Sequence, residues 1–435
     1  MKKLLSLTIA LLTAGAAQAA DLNTIYELAV SNDADIAAAR ATRDADDYSV
    51  TIARGALLPQ VSLNYNYDIN RTDIDMAGAS KIKYEAGMFS LQASQVLFNL
   101  NTWYTYKASK VGNNSSQMQL HMAEQQLILR TAQAYFNVLR AQDNLSTAQA
   151  EEKAVKRALE QTKQRYDVGL IAITDVHEAE AIYDLTKVNL LGREAALDIS
   201  FEALEQLTGE RPETVSPLKA NLTMEQPEPA NVQDWVDSGL EKYVGVLIAE
   251  AGLDSVEAQY NATRANHLPT VKLVASYSDG DQYQFSANGT IPVQSTFVSI
   301  QASMPLFSGG SLYGRSKQVA QSYAATEFNV EKQRRDVKQN VRSLYRQVQT
   351  DALNVKARKQ SIVSAKSALE ATETGYKVGT RNIVEVLNAQ KNLYGAQRDY
   401  ANARYDYILN LLNLKFFAGT LNDADLQALN AWLTI

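Results

Sequence analysis

The sequence predicts an α+β chain built twice over, each copy a β-hairpin joined to very long helices with coiled-coil seams. Three observations predict it. Residues 53–67, ARGALLPQVSLNYNY, recur as TRANHLPTVKLVASY at 263–277. Other landmarks return about 210 positions later, among them Pro59 and Pro269, Tyr135 and Tyr345, Gly169 and Gly379, and Val176 and Val386. Each copy contains stretches of strict apolar and polar alternation, and each then runs for roughly seventy residues without proline.

The elements follow in order. Lys2 and Lys3, an apolar stretch from Leu4 to Leu12 and the small residues Ala17-Gln18-Ala19 read as a secretory leader over 1–19. The first repeat occupies 20–210. It opens with a helix of about 35 residues that Pro59 ends, and a matching helix ahead of Pro269 opens the second repeat; together the two segments are rich in Ala, Asp and Glu. A strand pair over 57–69 and 84–98 follows, with Val61, Leu63, Tyr65, Tyr67 and Ile69 on one face and Ser62, Asn64, Asn66 and Asp68 on the other. The long helix runs from Asn99 to Asp167, a turn falls at Gly169, and a further helix runs to about Leu207. Residues 211–230 hold Pro212, Pro217, Pro227 and Pro229 and read as a connecting segment.

The second repeat, 231–418, has a strand pair over 268–278 and 295–307. Its loop contains Asp279-Gly280-Asp281 and Asn288-Gly289. A long helix from Ser308 to Lys377, a turn at 379 and a helix to about Leu414 complete it, and 419–435 reads as an irregular C-terminal segment. Val341, Val348, Val355, Ile362 and Leu369 repeat every seven residues, as do Leu127, Ala134, Ala141, Ala148 and Val155, which makes coiled-coil seams of the long helices. At ~1.5 Å per residue each would reach on the order of 100 Å, and two shorter helices stacked end to end would match one of them.

Composition limits what such a chain can be. The formal net charge is −6, and the leader's lysines leave the mature chain more acidic still, so nucleic acid is not an expected partner. There are no cysteines, which excludes disulfides, thiolate metal sites and a lipidated cysteine. Beyond the leader no run of 18 apolar residues occurs, so passage through a membrane would use strands. Four strands cannot close a barrel, since about eight are needed to leave room for interior side chains. Closure calls for several copies, and eight strands from a dimer would also suffice.

With these features in order and doubled, the whole mature chain resembles the TolC-type outer-membrane factors. The resemblance is carried by ARGALLPQVSLNY and its repeat, by QASMPLFSGG at 301–310 with QASQVLFN at 92–99, and by YDVGLIAITDV at 166–176 with YKVGTRNIVEVLNAQ at 376–390. The missing lipidated cysteine sets it apart from the lipoprotein members of that family. The resemblance implies a homotrimer whose twelve strands form one outer-membrane barrel, continued by a periplasmic α-helical barrel. It implies an exit duct for drugs, small toxic molecules and secreted proteins, working with a periplasmic adaptor and an inner-membrane transporter. Trp103, Tyr104 and Tyr106, with Tyr313, would form an interfacial aromatic girdle against outer-membrane lipid. Aromatics in a core are the alternative.

Residue by residue, the resemblance marks Thr174 and Asp175 on the first tip and Tyr376, Arg381 and Arg404 on the second as a network that closes the aperture. Exposed pairs of that kind contribute ~0.2–1 kcal/mol each, enough to latch in a threefold set and weak enough for a partner to release. Where family members carry two acidic residues one turn apart, this chain has Glu385 and Asn388. Three copies would then stack one charged ring on one neutral ring, a weaker cation trap than two charged rings. No enzyme, metal or cofactor site is expected: His121, His177 and His267 are isolated, and Ser308-Gly309-Gly310 lacks the Gly-Lys-Ser/Thr of a phosphate loop. The competing expectation is an envelope-spanning rod or surface receptor, binding through loops 70–83 and 278–292. A conduit needs continuous polar inner faces, whereas a rod needs filled seams.

Overall fold

The computed structural model describes residues 19–73, 81–284 and 289–434. The expected leader, Ala19 apart, and the parts 74–80 and 285–288 of the expected loops 70–83 and 278–292 lie outside the described residues. In chain order the first repeat forms α1 (Leu22–Asn32), α2 (Ala34–Gly55), β1 (Gln60–Asp73), β2 (Lys81–Phe98), α3 (Leu100–Asp167) and α4 (Ile173–Thr208). The second forms α5 (Val232–Lys242), α6 (Val244–Ala265), β3 (Thr270–Gln284), β4 (Gly289–Ser303), α7 (Ser311–Lys377) and α8 (Ile383–Phe417), and α9 (Asp423–Asn430) follows.

Four details differ from the sequence reading. The single helix expected before each hairpin is two, broken at Asp33 and Tyr243, both of which take extended backbone. Asp33 accepts a hydrogen bond from the Ile36 N–H and so caps α2, while Tyr243 wedges between the rings of Phe416 and Phe417. Asp279-Gly280-Asp281 lies inside β3 rather than in a loop. A Cβ on Gly280 would stand 2.2 Å from the Gly87 carbonyl oxygen, so this glycine serves close approach of strand backbones and not a turn. The return strand β4 stops at Ser303, ahead of Pro305, which lacks a ladder donor. Finally, the stretch after Lys415 is ordered: α8 continues to Phe417, and Asn422 and Asp425 form a reciprocal capping box that starts α9.

The chain divides into two compact units, and each takes pieces from both repeats. One comprises 39–120 and 244–334 and contains the sheet, ordered β1-β2-β3-β4 with every neighbour antiparallel. Register fixes its two faces. Val61 lies opposite Ala93, which pairs with Ala275 and then Val298; Leu63 similarly leads to Leu91 and Tyr277. One residue along, Asn64 leads to Ser90, Ser278 and Ser295. All four strands therefore contribute apolar side chains to one face and mostly polar ones to the other. The apolar face is uncovered, with Val61, Tyr65, Val298 and Ile300 each about two-thirds exposed (67%, 68%, 68% and 70%).

The other unit comprises the described residues up to Ala38, 121–243 and 335–434. Here the connecting segment 211–230 acts as a belt. Its Val215 pairs with Ala20 and its Leu218 with Leu433, joining both ends of the described chain. The tyrosines at matching places in the two repeats anchor it: Tyr135 donates its hydroxyl to the Ser216 carbonyl at 2.8 Å, and Tyr345 donates to that of Ala230. Beneath the belt lies an aromatic core in which Tyr135 meets Phe136 edge-on at 5.6 Å and Phe136 meets Tyr405 at 6.1 Å. Tyr405 donates to Asp143 at 2.7 Å. Burying side chains of this size stabilises a fold by ~1.5–3 kcal/mol each.

Candidate functional site

The reversals between α3 and α4 and between α7 and α8 are built alike. Gly169 and Gly379 take left-handed φ values of 76° and 82°. The N–H after each reaches back to a carbonyl inside the preceding helix, Leu170 to Arg165 and Thr380 to Gly375, both at 2.9 Å. This six-to-one closure is the Schellman motif, and it satisfies the last carbonyls of a helix at the cost of one residue that only glycine occupies readily. The four helices share a small core at these tips. Val155, Ala158 and Leu159 of α3 pack with Ala179 of α4 and Ile383, Val386 and Leu387 of α8, and Leu369 and Tyr376 of α7 cover the cluster.

On this frame Thr174 is exposed and Asp175 half-buried in the first turn of α4. Asp175 directs its N–H to the Ala172 carbonyl. Tyr376 holds its ring 4.5 Å beneath the Arg165 guanidinium, and its hydroxyl is enclosed without a hydrogen-bond partner among the described residues. Arg381 grips the Glu385 carboxylate at 2.5 Å. Glu385 also completes a capping box with Asn382, and the Arg381 hydrogen bond holds its carboxyl below the usual glutamate range. Asn388 is exposed one turn further on. Among the described residues of one chain, no hydrogen bond or ion pair joins Thr174 or Asp175 to Tyr376 or Arg381.

Arg404 departs from the expected grouping. It sits in α8 about 30 Å along the axis from Ile383 at ~1.5 Å per residue. There it is 8% exposed, donates to the Lys219 carbonyl of the belt at 3.2 Å and lies 5.6 Å from the centre of the Tyr400 ring. It pins the belt and takes no part in the tip of its own chain. Arg165 is the tip residue that sequence reasoning passed over. Its position in the last turn of α3, beside Tyr166 in QRYDVGL, was the available signal, because cations favour helix C-termini.

The aromatic residues lie in the sheet-bearing unit, at the starts of the long helices. Trp103 and Tyr313 are 53% and 67% exposed, while Tyr104 and Tyr106 are half-buried. Trp103 meets Tyr106 at 6.0 Å; Lys110 lies over the Tyr106 ring and Lys317 over Tyr313. Exposed aromatics with a lysine one turn on suit a headgroup layer, where an apolar ring and a charged tip are both accommodated. No helix among the described residues is long and apolar enough to cross a membrane. Nor does any group of three or more His, Cys, Asp or Glu residues there have the placement to hold a metal ion.

A family model described as outer membrane efflux protein matches residues 25–210 and 240–420, the two halves of the duplication. The chain belongs to the outer membrane efflux protein family. It is 36% identical over 440 residues to outer membrane protein TolC of Vibrio cholerae, covering 100% of this chain and 99% of that protein. It is also 28% identical to the protease secretion protein PrtF of Dickeya chrysanthemi, covering 99% and 95% of the two chains. Among solved structures, the CmeC outer membrane channel of Campylobacter jejuni superposes with a TM-score of 0.80 at 16% identity, covering 95% of this chain and 90% of that one. The efflux-family chain is thus an outer-membrane protein extending into the periplasm, and its relatives are channels rather than enzymes.

Proposed function

We propose that three copies of this chain join β4 of one to β1 of the next, closing a twelve-strand barrel that the helical parts continue as a periplasmic duct. The observation that carries this reading is the register of the sheet, which gathers apolar side chains on one face and mostly polar ones on the other across all four strands. Lipid outside and water inside require that division. An even number of strands in strict antiparallel order also lets β4 meet a second copy's β1 antiparallel, so the alternation continues around the ring. A solid rod has no use for a polar inner face.

The chain is an outer-membrane exit duct for efflux and secretion. PrtF, similar along its whole length, carries protease secretion in its name, and we extend to this chain the passage of secreted proteins as well as small molecules. An inner-membrane transporter and a periplasmic adaptor would supply cargo, with the adaptor's helices docking at the tips. There Thr174 and Asp175 of one copy would meet Tyr376 and Arg381 of the next and hold the aperture shut, and Glu385 and Asn388 would line it.

Cysteine crosslinking tests the ring directly, since the chain has no native cysteine. Asn64→Cys on the polar face of β1, combined in turn with Ser295→Cys, Phe297→Cys or Ser299→Cys on the same face of β4, should give covalent trimers in outer membranes for one pairing. Chains that crosslink to nothing, or only to dimers, in every pairing would refute the twelve-strand barrel.

A further inference from the structure

A cleft of about 800 Å³ opens beside the tip core, between the last turns of α3, the end of α7 and the start of α8. Its charge is unbalanced. Arg157, Arg165 and Lys377 line it against one carboxylate, Glu373, and none of the three cations has an ion-pair partner among the described residues. Its floor is apolar, formed by Leu369 and Val386. Two neutral polar atoms at the cleft are buried with no hydrogen-bond partner among the described residues, the Gln390 side-chain oxygen on a residue 9% exposed and the Tyr376 hydroxyl. A buried acceptor left without a donor costs ~1–3 kcal/mol, so two at one cleft mark a place where something else completes the bonding.

We propose that this cleft binds an organic anion with an apolar body and a hydroxyl or amide donor. The anionic head, a carboxylate or sulfonate, meets Arg157, Arg165 and Lys377; the body lies on the Leu369–Val386 floor; the donor reaches the Gln390 oxygen. The Tyr376 hydroxyl donates to the ligand or accepts from it. Bound there, the ligand bridges α3 to α7 and α8 and stiffens the hairpin pair that carries the tip residues. The inference deepens the duct reading by adding a ligand that acts on the tip, but the cleft lies within one chain and its occupancy can be read independently.

The test uses 6-hydroxynaphthalene-2-sulfonate titrated against the full-length protein in neutral detergent, followed by calorimetry. Naphthalene-2-sulfonate, which lacks the donor, and 2-naphthol, which lacks the anion, are the comparators. Binding should weaken about tenfold in Arg157→Gln, be retained in Arg157→Lys and weaken severalfold for the hydroxylated sulfonate alone in Gln390→Leu. Equal binding of 2-naphthol and the sulfonates, or no change in Arg157→Gln and Gln390→Leu, overturns the proposal. If Arg157→Gln does not fold, Gln390→Leu decides, since it leaves every charge in place. Conductance in planar bilayers separates the two readings: a conducting protein that binds no sulfonate refutes the cleft and leaves the duct, while a non-conducting protein that binds it refutes the duct and leaves the cleft.

Discussion

Replacing Tyr405 by Phe removes one oxygen from the best-buried part of the helical unit and leaves the ring in place. The side chain is 2% exposed, its hydroxyl donates to Asp143 at 2.7 Å, and its ring packs against Phe136. A hydrogen bond to a charged group contributes ~1.5–3 kcal/mol. Asp143 is half-buried, so water can replace part of the lost bond, and the lower end, about 1.5 kcal/mol per chain, is expected. That corresponds to a fall of roughly 2–3 °C in melting temperature at pH 7, at ~2.1 cal/mol/K of unfolding entropy per residue. The pH dependence has a defined sign. Burial, chiefly, with the Asp143 charge beside it, pushes the Tyr405 phenol far above its ordinary value. The folded chain therefore keeps its proton where the unfolded chain loses it. The contribution is fully present below about pH 10 and falls as pH rises beyond that, so the gap between native protein and Tyr405→Phe should narrow in alkali. Melting would be followed by circular dichroism at one scan rate and one protein concentration, because dissociation and irreversibility both move the midpoint. Asp143→Asn and the double variant complete a cycle. Additive losses in that cycle, or a gap unchanged between pH 8 and pH 11, would refute the assignment.

Three further outcomes are expected. Gly239→Val should lower the melting point by the equivalent of ~1–3 kcal/mol, because even a Cβ there stands 2.7 Å from the Phe417 carbonyl oxygen and 3.1 Å from Val337; unchanged melting would contradict the packing. Arg404→Leu should reduce stability by ~1–2 kcal/mol through the lost bond to the belt while leaving single-channel conductance as it was, and a several-fold rise in conductance would return Arg404 to the gate. The Glu385 carboxyl is held low by Arg381, so its ion pair is complete above the ordinary glutamate pKa and is lost only as pH falls through the depressed folded value. Block of conductance by trivalent cations should accordingly persist from neutral pH down to about pH 5 and be weakened at every pH in Glu385→Gln; equal block in the two proteins would remove Glu385 from the aperture.

Much of this was legible in the sequence because it was periodic. Alternation from Val61 to Ile69 marked the two faces of a strand, and seven-residue spacing from Val341 to Leu369 marked a helix seam, since both depend only on near neighbours. The break at Tyr243 was not legible, because it is held by Phe416 and Phe417, whose proximity is a product of the fold. The break at Asp33 could have been read: a short acidic side chain three residues before Ile36 is a capping signal, though Arg130, which fixes it from α3, is far away in sequence. Asn422 and Asp425 carried the same kind of signal for α9. At the tips, a family motif marked Tyr376 and Arg381 but also Arg404, and counting helical rise from Ile383 would have separated the last from the others. Asp279-Gly280-Asp281 misled for a physical reason, since glycine serves both turns and close backbone approach and composition alone does not distinguish them.

The open edges of the sheet also bear on how the protein is made. A lone chain carries unpaired backbone groups along both β1 and β4, beside an apolar face that water touches freely. Such a chain is a template for any strand it meets, native or otherwise. Its lifetime in the periplasm is therefore a hazard, and in the ring proposed above the correct partner for each edge is another newly exported copy. Insertion then becomes a steep function of how many copies arrive together, so that slow synthesis would waste chains to misassembly and proteolysis where a burst would not.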